Sequence, residues 1–365
     1  MTSVERPSAI AAPHRRLQQI MATLLPRPCV AEAGQSITQL EGESIARLSA
    51  VKTVLLKVGQ RGVPLGSPEE MAKLFTAKGL DPIVVEDISE IPADAEVIVT
   101  TGTPINADVL AKAPKAKLIA VAFTGVDHID LSACKAHGAK VVHVPGYSTD
   151  ATAELAVGLV ISHLRRLRYC HQNIKDGVWG LGTPKQEDLR SKTVGIIGLG
   201  KIGIRLAELF HAFKVKGLVG YSLNQDPEFS ALGGVYVDSL ASVFLDSDII
   251  CVCVPLTDLS MGMISEKLLE LLRPDGVLVN ISRGEVVDEV ALAKLLAQRR
   301  FRAALDVFSN EPLPAESPLR QVPDEQLLMT PHIGYQSEGS LAVRLEVTIK
   351  NILAHLAGHA INKVA

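Results

Sequence analysis

The sequence predicts an α/β protein of two doubly wound, parallel-sheet domains, and three observations predict it. At 365 residues the chain exceeds the roughly 100–200 residues of an ordinary domain. From Val51 onward, short β-branched runs alternate with longer helical patterns, as in a parallel sheet with helices on both faces. The stretch Pro145-Gly146-Tyr147-Ser148-Thr149-Asp150 interrupts that rhythm and divides one such series from a second.

In the first series, 53–58, 83–86, 96–100, 118–122 and 140–144 read as strands, with helices over 68–78, 107–113 and 131–137 between them. Thr149 or Asp150 is placed to cap one long apolar helix over 151–176. The second series runs strand 193–197, helix 201–213, strands 217–221 and 248–254, helix 266–272, strand 276–281, helix 288–298, and strands 303–307 and 327–330. A final helix over 338–357 has no strands of its own and is expected to pack back on the first domain.

Composition removes several classes of function. With 37 basic and 40 acidic residues, a net charge of -3 offers no basic face for a nucleic acid, so a small molecule is the default partner. No apolar run reaches the ~18 residues a membrane span requires. The cysteines at 29, 134, 170, 251 and 253 are odd in number and lack zinc-ligand spacing, which implies no metal and a reducing compartment such as the cytoplasm. Cys251 and Cys253 would share one face of a strand, as core packing. Residues 1–50 read as a disordered extension. The alternative is a mitochondrial or plastid presequence, because 10–31 holds Arg15, Arg16 and Arg27 without an acidic residue, although it is poor in Ser and follows Glu5.

Two constellations carry chemistry. The first is Gly198-Leu199-Gly200-Lys201-Ile202-Gly203, a Gly-x-Gly-x-x-Gly at the end of a strand and the start of a helix. There the glycines permit a tight turn and close backbone approach, and the helix N-terminus offers N–H groups to a pyrophosphate, so NAD or NADP is the implied cofactor. The next strand ends Gly220-Tyr221-Ser222, where such folds usually carry an acid for the adenosine ribose. Ser222 lifts the exclusion of a 2′-phosphate, yet no Arg follows to hold one, which leaves NAD against NADP open.

The second constellation follows three strands: Asn280-Ile281-Ser282-Arg283-Gly284, then Asp306-Val307-Phe308-Ser309-Asn310-Glu311-Pro312, then Pro331-His332-Ile333-Gly334. Ligands of open α/β sheets bind at strand C-terminal ends, so Arg283, Glu311 and His332 are expected to converge there. Reduction of a 2-oxo acid needs a cation for the carboxylate and carbonyl, which suits Arg283. It also needs a proton donor titrating near neutrality, which suits His332 backed by Glu311. Each of the three taken alone is equally at home as an ordinary loop residue.

At these residues the chain resembles the D-isomer-specific 2-hydroxyacid dehydrogenases, a likeness running from Val51 to the C-terminus. It is carried by 124–130 (Thr-Gly-Val-Asp-His-Ile-Asp), 144–149, 198–203, 254–257, 280–284, 305–312 and 331–334. The resemblance implies a catalytic set of Arg283, Glu311 and His332, with the substrate carboxylate met by Arg283 and by backbone N–H groups of Thr124, Gly125 and Val126. It implies that Lys201 and Ile202 lie over the pyrophosphate, that Val254, Pro255 and Ile281 line the cofactor, and that Asp306 faces the nicotinamide carboxamide. It further implies a Rossmann nucleotide-binding domain (146–331) inserted in a flavodoxin-like substrate domain (51–145 and 332–365), hinges near Pro145 and Pro331, D-stereospecificity and a homodimer. Glyoxylate or hydroxypyruvate is the favoured substrate. D-3-phosphoglycerate dehydrogenase, and a dinucleotide-sensing corepressor of the C-terminal-binding-protein type, are the alternatives. Two positions depart from the family: Ser222, and Tyr335, which either shapes the substrate pocket or packs as an aromatic.

Overall fold

A computed structural model describes residues 51–56, 68–180 and 185–364; the expectation for 1–50 lies outside the described residues. The first sheet is parallel throughout: β1 (Lys52–Leu56), β2 (Asp81–Val85), β3 (Val97–Thr100), β4 (Leu118–Val121) and β5 (Lys140–Val142), in the order β2-β1-β3-β4-β5. This is the flavodoxin-like order. Helices α1 (Pro68–Thr76), α2 (Ala107–Lys112) and α3 (Leu131–His137) cross over between strands. The helix over 131–137 was legible because both ends are written in side chains. Asp130 accepts from the Ala133 N–H at its start, and Gly138 takes φ 84° at its end.

The second sheet is also parallel: β6 (Thr193–Ile197), β7 (Gly217–Tyr221), β8 (Gly234–Tyr236), β9 (Ile249–Val252), β10 (Val277–Asn280), β11 (Arg302–Leu305) and β12 (Leu327–Met329). Its order is β12-β11-β10-β9-β6-β7-β8, which reverses direction between β6 and β9 and so opens a crevice at their C-terminal ends. Around it lie α4 (Thr149–Leu164), α5 (Leu167–Lys175), α6 (Lys201–Ala212), α7 (Pro227–Ala231), α8 (Leu240–Asp246), α9 (Glu266–Leu269) and α10 (Glu289–Ala297). The last helix, α11 (Glu338–Leu356), returns to the first sheet. Its Leu345, Ile349 and Ile352 pack with Leu55, Val97, Val99, Leu118 and Ala120, while the alternate residues Val54, Leu56, Ile98, Ile119 and Val121 face the other way toward α2 and α3.

The structure corrects the reading in four places. The single helix expected over 151–176 is two, parted at Arg166, whose φ is 50°. No local breaker marks the spot. The cause is tertiary: buried Arg302 donates from Nη1 to the His163 carbonyl at 3.0 Å, and the His163 ring is bonded to the Ala303 carbonyl at 2.7 Å. Neither Thr149 nor Asp150 is the cap, since Ser148 holds that position without a side-chain bond. The other omission is α7, β8 and α8, each too short for periodicity to reveal, although Asp226 before Pro227 and Ser239 both cap as side chains. Cys253 lies one residue beyond its strand, half-buried against the same core as Cys251.

Candidate active site

The β6–α6 turn is built by its glycines. Gly198 has φ 94° and sits so close to Cys253 and Val254 that an added Cβ would lie 2.8 Å from Val254 Cγ1 and 2.9 Å from the Cys253 carbonyl carbon. A Cβ on Gly203 would fall 2.1 Å from the Gly198 oxygen, whereas one on Gly200 meets nothing within 4 Å. Two of the glycines therefore let chain segments touch, and the third leaves open space before the helix N-terminus. That is the cradle a dinucleotide pyrophosphate requires. Lys201 stands at the first helical position with Nζ near Gly146, Ile202 packs partly buried on the core, and Val254 closes the far side. Pro255 contributes its carbonyl to a bond from Ser260, and buried Ile281 follows β10. Ser222 is the first residue after β7, half-buried. These residues fit the group.

Arg283 follows β10 on a turn shaped by Asn280, whose amide donates to the Arg283 carbonyl at 2.8 Å and whose carbonyl accepts from the Ser282 N–H and hydroxyl at 3.0 and 2.9 Å. The arginine reaches across to the loop after β4. Its Nε and Nη2 donate to Asp127 Oδ2 at 3.0 and 2.9 Å, and Nη2 lies where a Cβ on Gly125 would be, 2.1 Å away. Thr124 anchors that loop by donating to the Val144 carbonyl at 2.8 Å, and the Val126 carbonyl accepts from Ile129.

His332 and Glu311 meet directly: Nδ1 is 2.8 Å from Glu311 Oε2, while Oε1 accepts from the Phe308 N–H at 3.1 Å. The histidine backbone is left-handed, with φ 53°. Asp306 holds it there, a task the sequence did not announce. Its own carbonyl accepts the His332 N–H at 2.8 Å, Oδ1 accepts from Thr330 Oγ1 at 2.6 Å and Ile333 N at 2.8 Å, and Oδ2 accepts from Gly334 N at 2.8 Å. Burial raises the Asp306 carboxyl above its ordinary value, against the lowering influence of those donors.

A circuit of contacts joins these parts. Arg283 lies on Gly125, two residues after Phe123; Phe123 meets Tyr335 edge-on at 4.8 Å, and Tyr335 meets the His332 ring at 5.8 Å. His332 binds Glu311, Glu311 binds Phe308, and Gly284 abuts Phe308, where a Cβ would lie 2.0 Å from its carbonyl carbon. Residues more than 200 positions apart in the chain thus close on one region beside the glycine turn.

Such a site on such a fold defines an NAD(P)-dependent oxidoreductase of 2-hydroxy and 2-oxo acids. The comparisons carry this to a family. The description "D-isomer specific 2-hydroxyacid dehydrogenase, NAD binding domain" matches residues 157–334. Glyoxylate/hydroxypyruvate reductase B of Serratia proteamaculans is 31% identical over 306 residues, covering 82% of this chain and 93% of that protein. Among solved structures, D-lactate dehydrogenase from Aquifex aeolicus, complexed with NAD and lactic acid, superposes with a TM-score of 0.75 at 28% identity over 84% of this chain and 96% of that one. An acyclic imino acid reductase in complex with NADPH and D-Arg gives 0.76 at 25% identity over 86% and 100%. The chain belongs to the D-isomer-specific 2-hydroxyacid dehydrogenase family. Among the described residues, no helix is long and apolar enough to cross a membrane.

Proposed function

We propose that this protein reduces a small 2-oxo acid, glyoxylate to glycolate or hydroxypyruvate to D-glycerate, with Arg283, Glu311 and His332 as its catalytic residues. The observation that carries the reading is the 2.8 Å pairing of His332 with Glu311 on the same circuit of contacts that brings Arg283 onto the 124–127 loop. The name of the Serratia relative supports the substrate. We assign 51–145 with 332–365 to the substrate-binding domain and 146–331 to the dinucleotide-binding domain.

When bound, the nicotinamide supplies the hydride that reduces C2. Gly198, Gly200, Lys201, Ile202, Gly203, Ser222, Val254, Pro255, Ile281 and Asp306 are the residues that would hold the dinucleotide. Arg283 attracts the substrate carboxylate and polarises the adjacent carbonyl, together with backbone N–H groups of Thr124, Gly125 and Val126. With Nδ1 engaged by Glu311, Nε2 is the His332 nitrogen left to give a proton to the carbonyl oxygen. Glu311, bonded to Nδ1, fixes the plane of the ring and aims Nε2, which in the oxidative direction takes the proton back. Ser222 implies weak discrimination between NADH and NADPH.

Initial rates on glyoxylate, hydroxypyruvate, its phosphate and pyruvate with both dinucleotides test all of this. Turnover of ~1 s⁻¹ or more on the first two is expected. Tight dinucleotide binding without turnover on any acid would replace the enzyme with a sensor, and a cofactor preference beyond about a hundredfold would refute the reading of Ser222.

We also propose a homodimer. Leu167, Ile174 and Val178 on and after α5 are about half exposed, and Trp179 is 84% exposed, an apolar strip suited to a second copy. A reducing compartment, the cytoplasm, accords with free Cys134, Cys170, Cys251 and Cys253.

A further inference from the structure

Helix α11 carries a buried cation that the mechanism does not use. Arg344 is 3% exposed, and its guanidinium carbon lies 5.6, 5.9 and 5.5 Å from the ring centroids of Phe123, Tyr147 and Tyr335. The three rings come from three segments that matter to the site. Phe123 immediately precedes the 124–126 loop, Tyr147 lies in the crossover between the sheets, and Tyr335 follows the His332 loop. They touch one another as well: Phe123 meets Tyr147 edge-on at 5.9 Å and Tyr335 at 4.8 Å. Tyr335 in turn meets the His332 ring edge-on at 5.8 Å.

No carboxylate of the described residues forms an ion pair with Arg344, and its Nε is buried without a hydrogen-bond partner. A buried charge kept for stability alone is ordinarily paired, because an unpaired one is costly and an apolar residue of similar volume serves as well. What this guanidinium provides is a flat cation in contact with three aromatic rings at once.

We propose that Arg344 is a positioning residue for the reduction described above. It draws Phe123, Tyr147 and Tyr335 together, so that Tyr335 fixes the edge of the His332 imidazole and Phe123 fixes the start of the loop that receives the substrate carboxylate. The inference rests on that functional reading. Tyr335, buried at 5% exposure, then acts by packing, and by packing it sets the position of His332.

The test compares Arg344→Met and Arg344→Lys with the wild type in far-UV circular dichroism, dinucleotide affinity, steady-state rates, the isotope effect of 4-deuterated cofactor on kcat, and the His332 ring-proton chemical shifts. Arg344→Met is expected to fold and to bind dinucleotide as before. Its kcat is expected to fall about tenfold or more, since misplacement of a catalytic group by ~1 Å costs on the order of a hundredfold. The isotope effect should rise as hydride transfer becomes slower than product release, and the His332 shifts should move as the Tyr335 ring leaves its place. Arg344→Lys should fall between, and it supplies the same readings should the methionine variant not fold. Unchanged kcat and isotope effect in a folded variant would overturn the proposal. So would unmoved His332 shifts, which read the alignment without turnover; a wild type that reduces no acid would instead strike the functional reading.

Discussion

The guanidinium of Arg283 is forked onto one carboxylate oxygen of Asp127, Nε at 3.0 Å and Nη2 at 2.9 Å, while Nη1 donates to the Ser282 carbonyl at 2.8 Å. The pair joins a turn after β10 to the loop after β4. Both side chains are partly exposed, so its direct contribution to stability is small, ~1 kcal/mol or less. Its effect is on orientation, because two of the three guanidinium nitrogens are committed to one acceptor and the plane cannot swing.

Asp127→Ala is accordingly expected to raise KM for the 2-oxo acid about tenfold with a smaller effect on kcat, and Asp127→Asn, which keeps an acceptor, to raise it less. Steady-state kinetics decide the matter. A lower KM in the alanine variant would mean that Asp127 competes with the substrate carboxylate rather than orienting its receptor. Arg283→Lys should be far more severe than either, since a point charge cannot be forked in this way.

His332→Ala is expected to lower the rate by about 10²–10⁴-fold with dinucleotide affinity nearly intact, because it removes a proton donor and not a main contact of the cofactor. Glu311→Gln should give an intermediate loss. Fluorescence titration of the cofactor beside single-turnover rates separates the two quantities, and a His332→Ala protein retaining most of its activity would displace the proton donor to another residue.

Asp306→Asn places an NH₂ where three donors now converge, from Thr330, Ile333 and Gly334. One N–H then faces another, at a cost of about 1–3 kcal/mol. Denaturant titration should show that loss, together with a reduced kcat as the His332 loop loosens. Full stability in the variant would show that the loop is held by something other than this carboxylate.

Stability should also fall in mild acid. Burial, the largest influence, pushes the His163 ring from its ordinary 6.5 down to about 4. The unfolded chain takes up a proton near 6.5 that the folded ring refuses until about 4, so stability is full above that window and declines as pH drops through it, by up to ~3 kcal/mol. His163→Gln should flatten this dependence. Urea midpoints at pH 7 and 4.5 that shift equally in both proteins would assign the acid sensitivity elsewhere.

Much of this fold was legible because parallel strands buried on both faces must be largely apolar and rich in β-branched residues, as 277–279 (Val-Leu-Val) and Ile249–Val252 are. Helix ends were legible where a side chain performs the capping, as Asp130 and Asp288 do. What escaped was imposed from a distance. The break at Arg166 depends on Arg302, more than a hundred residues away, taking a helix carbonyl. In the site, residue types chosen for chemistry pointed to Arg283, Glu311 and His332, whereas Asp127 and Arg344 gave no local sign. Their partners come from other segments, and only the folded chain brings an aspartate under one guanidinium and three rings around another.

The left-handed backbone at His332 has a practical corollary for anyone wishing to trap the ternary complex. Most side chains resist that conformation, whereas asparagine accepts it readily. His332→Asn is therefore expected to remove the imidazole while letting the loop keep its path, and on the role proposed for His332 it is the variant best suited to hold acid and dinucleotide together for crystallography.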